Sequence, residues 1–158
     1  ANHPNIQAVK EATGSTDSCS DIAMRCPDLA VLSGDDSMTL PFASVGAVGV
    51  VSVASNLAPA SVSGLCRAFL QNDWKAAREQ HRVLFNLCRS LFVETNPIPV
   101  KGAMAALGRD SGAMRLPMTR AREETVRKVL KELELVEAGV YSRATVHTVG
   151  TGGAVRLG

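Results

Sequence analysis

The apolar positions of the first seventy residues fall into short runs separated by segments that permit helices. The runs cover residues 6–9, 29–32 and 48–53, and the third has β-branched residues at consecutive positions. Such a run predicts a strand that is buried on both faces. Helices are predicted at about 16–25, from the polar segment after residue 32 to about 45, and from Pro59 to about Gln71. This alternation predicts an α/β fold with a parallel sheet of βαβ units.

From residue 73 onward the pattern is helical throughout. Asp73 is a good N-cap, and residues at spacings of three and four predict one buried stripe on a long helix: Trp74, Ala77, His81, Leu84, Phe85, Cys88, Leu91 and Phe92. The prolines of residues 96–101 interrupt this helix, and further helices are predicted at about 100–107 and 120–136. The last one has Val126, Val129, Leu130, Leu133 and Val136 on one side, with the exposed pairs Glu123/Arg127 and Glu124/Lys128. Residues 139–158 lack helical periodicity and predict an irregular tail.

Composition narrows the class of protein. The 158 residues are 46% apolar and 20% charged, which is typical of a globular domain. The formal charge of +2 gives no strong electrostatic attraction for nucleic acid or an anionic membrane. The longest apolar stretch is short and broken by glycine and serine, so no membrane span is expected. The four cysteines and three histidines have no metal-ligand spacing. This predicts no metal site, no disulfide framework and a cytoplasmic location.

The loops after the three predicted strands are where function is expected. In parallel α/β proteins, ligands bind at the carboxyl ends of the strands. The first strand ends at Lys10, and small residues follow it and the other two strands, at 11–14, 33–36 and 52–56. Lys10 is therefore either a solvated residue at an exposed rim or a nucleophile inside a site.

A lysine in such a site can attack a carbonyl substrate and form a Schiff base, which then acts as an electron sink for carbon–carbon bond formation. The attack requires the neutral amine, and an ordinary lysine is less than about 0.1% neutral at pH 7. Apolar walls would have to penalise the ammonium form. Val9 and the valines of the third strand are the candidates for those walls.

Three segments, VKEATGS, LSGDDSMTLPFASVGAVGVVSVASN and FVETNPIPVK, resemble the 4-hydroxy-tetrahydrodipicolinate synthase (dihydrodipicolinate synthase) family of the class I pyruvate-dependent aldolases. The resemblance covers about residues 5–136 in the same order. It implies a (β/α)8 TIM barrel followed by C-terminal helices, with Lys10 as the catalytic lysine that ends strand six and forms a Schiff base with pyruvate. It also implies that Gly34, after strand seven, lies beside pyruvate, and that Val51, on strand eight, walls the pyruvate methyl group. Asp35 and Asp36 are interpreted as turn and N-cap residues.

The resemblance divides the chain into strands six to eight of the barrel (1–71), a C-terminal helical region (72–138) and the tail (139–158). A whole barrel of this type needs about 250 residues. The resemblance therefore implies a complementary N-terminal half, in a second chain or a missing segment, that supplies the tyrosine and threonine hydroxyls of a proton relay and the arginine for the second substrate.

The function implied is the condensation of pyruvate with aspartate semialdehyde in lysine and diaminopimelate biosynthesis, by a homo-oligomer that needs no cofactor. Two alternatives stay open. One is another pyruvate aldolase of the superfamily, an N-acetylneuraminate or sugar-acid lyase. The other is a half-barrel fragment without catalytic activity.

Overall fold

The structure is a computed structural model that describes residues 3–140. Three parallel strands form one sheet in the order β1-β2-β3: β1 (Ala8–Glu11), β2 (Ala30–Ser33) and β3 (Gly49–Val50). Lys10 is in register with Leu32, and Leu32 with Gly49. The predicted α/β architecture is confirmed in this part of the chain.

The first helices follow the strands, as βαβ units require. They are α1 (Thr16–Arg25), α2 (Thr39–Ala43) and α3 (Pro59–Leu70), and two short 3-10 turns, Asp36–Met38 and Ala54–Asn56, precede α2 and α3. Ser15 caps α1 by accepting a hydrogen bond from the N–H of Ser18 at 3.2 Å. Pro59 stands in the first turn of α3, where a missing N–H leaves no hydrogen bond unmade.

The second half of the described chain is helical: α4 (Trp74–Ser90), α5 (Ile98–Ala106) and α6 (Glu123–Glu137). Asp73 caps α4 through the N–H of Ala76 at 3.0 Å, as predicted. Helix α5 begins two residues before the predicted start, because Pro99 fits the first turn instead of breaking the helix.

Two carboxylates stabilise the region of α4 to α6 through hydrogen bonds and ion pairs. Glu94 accepts a hydrogen bond from the N–H of Arg122 at 3.2 Å, and hydrogen bonding from Thr125, followed by Arg122, lowers its pKa. Asp110 accepts one from the N–H of Gly112 at 2.6 Å and lies 3.2 Å from the Lys101 ammonium. The first contact and then the second lower the pKa of Asp110. Both groups are therefore more acidic in the folded chain than an ordinary carboxyl.

The larger hydrophobic core runs without a break from Ala54, after β3, to Val136 in α6. A smaller core of Cys19, Val31, Phe42 and Ala47 lies behind the sheet. Helices α3 and α4 share the larger core, so the packing is continuous where the sequence places a boundary between residues 71 and 72. That division of the chain stays a prediction.

The buried face of α4 corrects one expectation. Phe85 and Phe92 were predicted to be buried but are 38% and 49% exposed, whereas Val83 and Leu87 are buried. The reason for Phe85 is that α4 packs between α3 and α6, which turns its buried arc toward Leu87, whereas Phe92 lies beyond the end of α4 at Ser90. His81 is half-buried against the Phe85 ring, at 5.6 Å between ring centres, and burial lowers its pKa.

Two strands also differ from prediction. β1 begins two residues later and ends one residue later than predicted, so that Lys10 lies within it and Glu11 ends it. β3 is only Gly49–Val50, and the flanking Val48 and Val51 are each 43% exposed. The expected burial on both faces is wrong within the described residues: Val51 lies on the face that the helices leave uncovered, and Val48 lies before the amino end of β3.

None of the helices described in residues 3–140 combines the length and the apolar character that crossing a bilayer requires. Most of the tail predicted at 139–158 lies outside the described residues, which end at 140.

Candidate active site

The three predicted site residues lie on one face of the sheet. Successive side chains of a strand point to opposite faces, and residues in register share a face. Lys10 pairs with Leu32 and Leu32 with Gly49, so the next row on the same face is Ala12, Gly34 and Val51. Lys10, Gly34 and Val51 therefore occupy the carboxyl ends of three adjacent strands.

Lys10 and Gly34 are in close proximity. A methyl group at the Cβ position of Gly34 would lie 2.9 Å from Lys10 Cε and 2.5 Å from Ala12 Cβ. Both separations are shorter than the carbon–carbon contacts of about 3.5–4.0 Å that packed atoms make. The absence of a side chain at residue 34 thus makes room for the Lys10 side chain to cross the end of β2.

The apolar walls expected around Lys10 are only partly formed by the described residues. Lys10 itself is exposed and Val51 is 43% exposed. Val9 packs against the small core behind the sheet, and Val50 packs against the larger core. These two valines face the helices, because they alternate with Lys10 and Val51 along their strands, so the expectation that Val9 walls the lysine is wrong.

Backbone hydrogen bonds lock the three strand ends together. The N–H of Gly34 donates to the carbonyl of Glu11 at 2.6 Å, and the N–H of Val51 donates to the carbonyl of Ser33 at 2.8 Å. The buried Ser33 hydroxyl donates to the carbonyl of Asp35 at 2.7 Å. The row that holds Gly34 and Val51 is therefore fixed one residue beyond the strands.

Glu11 fastens the turn after β1 from the opposite face. Its buried carboxylate accepts hydrogen bonds from the N–H of Thr13 at 3.0 Å and from the Ser18 hydroxyl at 3.3 Å. Its second oxygen, Oε2, has no hydrogen-bond partner among the described residues. Burial, and then the charge of Glu11, raise the pKa of the nearby Cys19 thiol. Sequence reasoning assigned this residue no role, since it stands among small residues that read as a simple turn.

The two aspartates after Gly34 have different structural roles. Asp35 caps the turn Asp36–Met38 by accepting hydrogen bonds from the N–H and hydroxyl of Ser37 at 2.8 and 2.9 Å, which confirms its interpretation as an N-cap. Asp36 is buried and instead binds the segment after β3: its oxygens accept hydrogen bonds from the N–H groups of Val53 and Ala54 and from the Ser52 hydroxyl. The interpretation of Asp36 as a second turn residue is incomplete, because its partners lie in another loop.

Cys88 of α4 links the helical part of the chain electrostatically to these two aspartates. Burial, then the charges of Asp36 and Asp35, raise the pKa of the Cys88 thiol to about 12. Within residues 3–140, no three His, Cys, Asp or Glu side chains are grouped so that they could hold a metal ion.

Solved structures with the same fold identify the class of protein. The structure of 4-hydroxy-tetrahydrodipicolinate synthase from Methylacidiphilum fumariolicum SolV superposes with a TM-score of 0.81 at 44% identity, over 86% of this chain and 46% of that chain. Dihydrodipicolinate synthase from Aquifex aeolicus gives 0.80 at 46% identity, over 84% and 46%. The described residues thus form part of an α/β fold that these synthases share.

The family follows from the sequence itself. A model of the dihydrodipicolinate synthetase family matches residues 1–136. The 4-hydroxy-tetrahydrodipicolinate synthase of Koribacter versatilis is 48% identical over 144 residues, which are 90% of this chain and 47% of the relative. The chain belongs to the dihydrodipicolinate synthetase family, and it spans about half the length of the curated relatives it matches. This confirms the resemblance seen in the sequence.

Proposed function

We propose that this chain carries the Schiff-base lysine of a 4-hydroxy-tetrahydrodipicolinate synthase, which condenses pyruvate with aspartate semialdehyde. The observation that carries the proposal is Lys10 at the carboxyl end of a parallel strand, with its side chain lying over Gly34. The chain is also 48% identical to the 4-hydroxy-tetrahydrodipicolinate synthase of Koribacter versatilis.

The proposed chemistry begins at Lys10 Nζ. The neutral amine attacks the C2 carbonyl of pyruvate, the C–N bond forms, and the carbonyl oxygen leaves as water. The resulting imine withdraws electrons, so that the pyruvate methyl carbon can lose a proton and attack the aldehyde. Gly34 leaves space for pyruvate beside the lysine, and Val51 stands on the same face as a wall for the methyl group.

Further features of the sheet support the existence of a complementary half that completes the barrel. The order β1-β2-β3 leaves the outer sides of β1 and β3 without a strand partner among the described residues. On the face that carries Lys10, Val51 is 43% exposed. Unpaired edges and exposed apolar faces are usually covered. We propose that β1 to β3 are strands six to eight of a barrel, and that the complementary half covers this face and supplies the proton relay.

The proposal also covers the cellular location and the oligomeric state of the enzyme. The four cysteines, all within the described residues, are free thiols, which suits the cytoplasm. The exposed side chains of Phe85 on α4 and of Phe92 just after it suit contact with a second copy in a homo-oligomer.

The test is reductive trapping of pyruvate. The chain is co-purified with the part of the Methylacidiphilum fumariolicum relative that it does not match, and the pair is treated with pyruvate and borohydride. Peptide mass analysis should find the reduced adduct on Lys10. Lys10→Arg should abolish it, because arginine supplies no neutral amine, whereas Lys75→Arg, an exposed site on α4, should not. An intact pair that gives no adduct, or an adduct on another lysine, overturns the proposal.

Turnover assays of the same pair decide between the two kinds of aldolase. Activity with aspartate semialdehyde supports the synthase. Activity with a sugar aldehyde alone supports the lyase alternative.

A further inference from the structure

The Asp36 carboxylate connects two strand ends that are far apart in the sequence. It is 5% exposed. Its Oδ2 atom accepts hydrogen bonds from the N–H groups of Val53 at 2.8 Å and Ala54 at 3.1 Å, and its Oδ1 atom accepts one from the Ser52 hydroxyl. The Ser52 hydroxyl oxygen in turn accepts a hydrogen bond from the N–H of Ser55 at 2.8 Å. One buried side chain therefore organises the backbone that follows β3. We call residues 52–54 with Asp36 the clamp.

The clamp lies immediately after Val51. The N–H of Val51 is held by the carbonyl of Ser33 at 2.8 Å, and the residue that follows it is bound to Asp36. Asp36 is itself two residues after Gly34. The clamp thus fixes how far Val51 advances along the sheet relative to Gly34 and, through Gly34, relative to Lys10.

Both oxygens of Asp36 are engaged by backbone and hydroxyl donors, and the turn Asp36–Met38 packs against α4. The Asp36 carboxylate therefore acts as the hydrogen-bond acceptor for the loop after β3. Without the Asp36 carboxylate, the N–H groups of Val53 and Ala54 would lack an acceptor. The folded chain would avoid the cost of these unpaired groups by moving the segment that carries them.

We propose that Asp36 is a positioning residue of the lysine site: it holds Val51 in line with Gly34, so that the valine side chain walls the space over Lys10. This inference rests on the proposed function, because its readout is the reaction of Lys10 with pyruvate. Asp36 acts on that reaction only through the place of Val51.

The experiment uses the full chain paired with its complementary part, and measures the pyruvate concentration that gives half-maximal borohydride trapping. Asp36→Ala should raise it about tenfold or more, since displacement of a positioning group by about 1 Å can cost up to about a hundredfold in rate. Asp36→Asn should restore most of the loss, because its amide oxygen can take both N–H groups. Asp35→Ala is the matched control. It removes a neighbouring carboxylate that binds only Ser37 among the described contacts, and it should trap pyruvate normally.

A double-mutant cycle separates positioning from a general loss of stability. Val51→Ala should weaken trapping in the unsubstituted chain and in Asp35→Ala. In Asp36→Ala it should add little, because the valine is already out of place. Where Asp36→Ala does not fold, Ser52→Ala replaces it. That change removes the hydroxyl bonds to Asp36 and Ser55, keeps both N–H bonds to Asp36, and should weaken trapping in the same direction. Amide hydrogen exchange at Val53 and Ala54 should accelerate in Asp36→Ala and stay slow in Asp35→Ala.

Two results overturn the inference alone: normal trapping by Asp36→Ala, or a Val51→Ala loss of equal size in both backgrounds. If the unsubstituted pair forms no adduct on Lys10, the proposed function fails and the inference fails with it. The two failures are therefore distinguishable.

Discussion

Gly34→Ala tests whether the end of β2 must be empty for Lys10 to work. The added methyl carbon would lie 2.5 Å from Ala12 Cβ, 3.0 Å from Ala12 Cα and 2.9 Å from Lys10 Cε. A carbon–carbon contact needs about 3.5 Å, so the β1 end would have to retreat by about 1 Å. The methylene of Lys10 can rotate away, but the backbone of Ala12 is held by the bond from Gly34 N–H to the Glu11 carbonyl.

The expected effect of Gly34→Ala has two parts. Overpacking of this kind costs about 1–3 kcal/mol of unfolding free energy. A displacement of Lys10 by about 1 Å should lower the rate of pyruvate trapping about a hundredfold. Chemical denaturation measures the first quantity, and borohydride trapping on the paired chain measures the second.

Gly64→Ala in α3 is the matched control for the same substitution. Its new methyl carbon would lie 3.9 Å from the Gln80 side chain, an ordinary contact, and alanine favours the helix. The control should raise the unfolding free energy by about 0.4–1 kcal/mol and leave trapping intact. Trapping by Gly34→Ala at the rate of the unsubstituted chain would refute the placement of Lys10 against Gly34.

Three further predictions concern the helical layer. Gly102→Ala would bring a methyl carbon within 2.6 Å of Ala121 Cβ, just before α6, and within 2.9 Å of Val126 Cγ2 in α6. It should therefore destabilise the chain by about 1–3 kcal/mol in denaturation, and an unchanged midpoint would contradict the close packing of α5 on α6. Because the folded chain lowers the pKa of Glu94, its contribution is present above the ordinary glutamate pKa of about 4.3 and is lost as the pH falls. Glu94→Gln should therefore unfold at a lower denaturant concentration than the original chain at pH 7, and the difference should shrink as the pH is lowered below the ordinary glutamate pKa of about 4.3. An equal difference at every pH would refute the assignment. Cys88, with its pKa raised to about 12, should react with a thiol reagent at pH 8 only after denaturant is added, as mass analysis of labelled peptides can show.

The strand and helix order could be predicted from the sequence because each element carries its own local signal. The small turn after Lys10, the proline at the start of α3 and the aspartate before α4 all act on residues nearby. Helix α4 shows the limit of such signals. Its spacing gave a stripe through Phe85 and Phe92, but the buried arc depends on where α3 and α6 lie, and periodicity alone does not contain that information.

The candidate site, like the fold, could be predicted from the sequence only in part. The choice of Lys10, Gly34 and Val51 follows from strand ends and from family resemblance, and the register places these three residues on one face of the sheet. The role of Asp36 could not be predicted, since its partners are 16 to 18 residues away and nothing in the local pattern distinguishes it from Asp35. The alternation of Val9 with Lys10 was available in the sequence and would have excluded that valine as a wall of the site.

The unbroken core from Ala54 to Val136 has a consequence for how this chain opens. Ala54 belongs both to the clamp and to that core, and Leu57 follows it there. Regions that share one core exchange their amide protons as one cooperative unit. The loop that places Val51 should therefore behave as the edge of a rigid layer rather than as a lid. Its slowest amides should become exposed only when α3 and α4 separate.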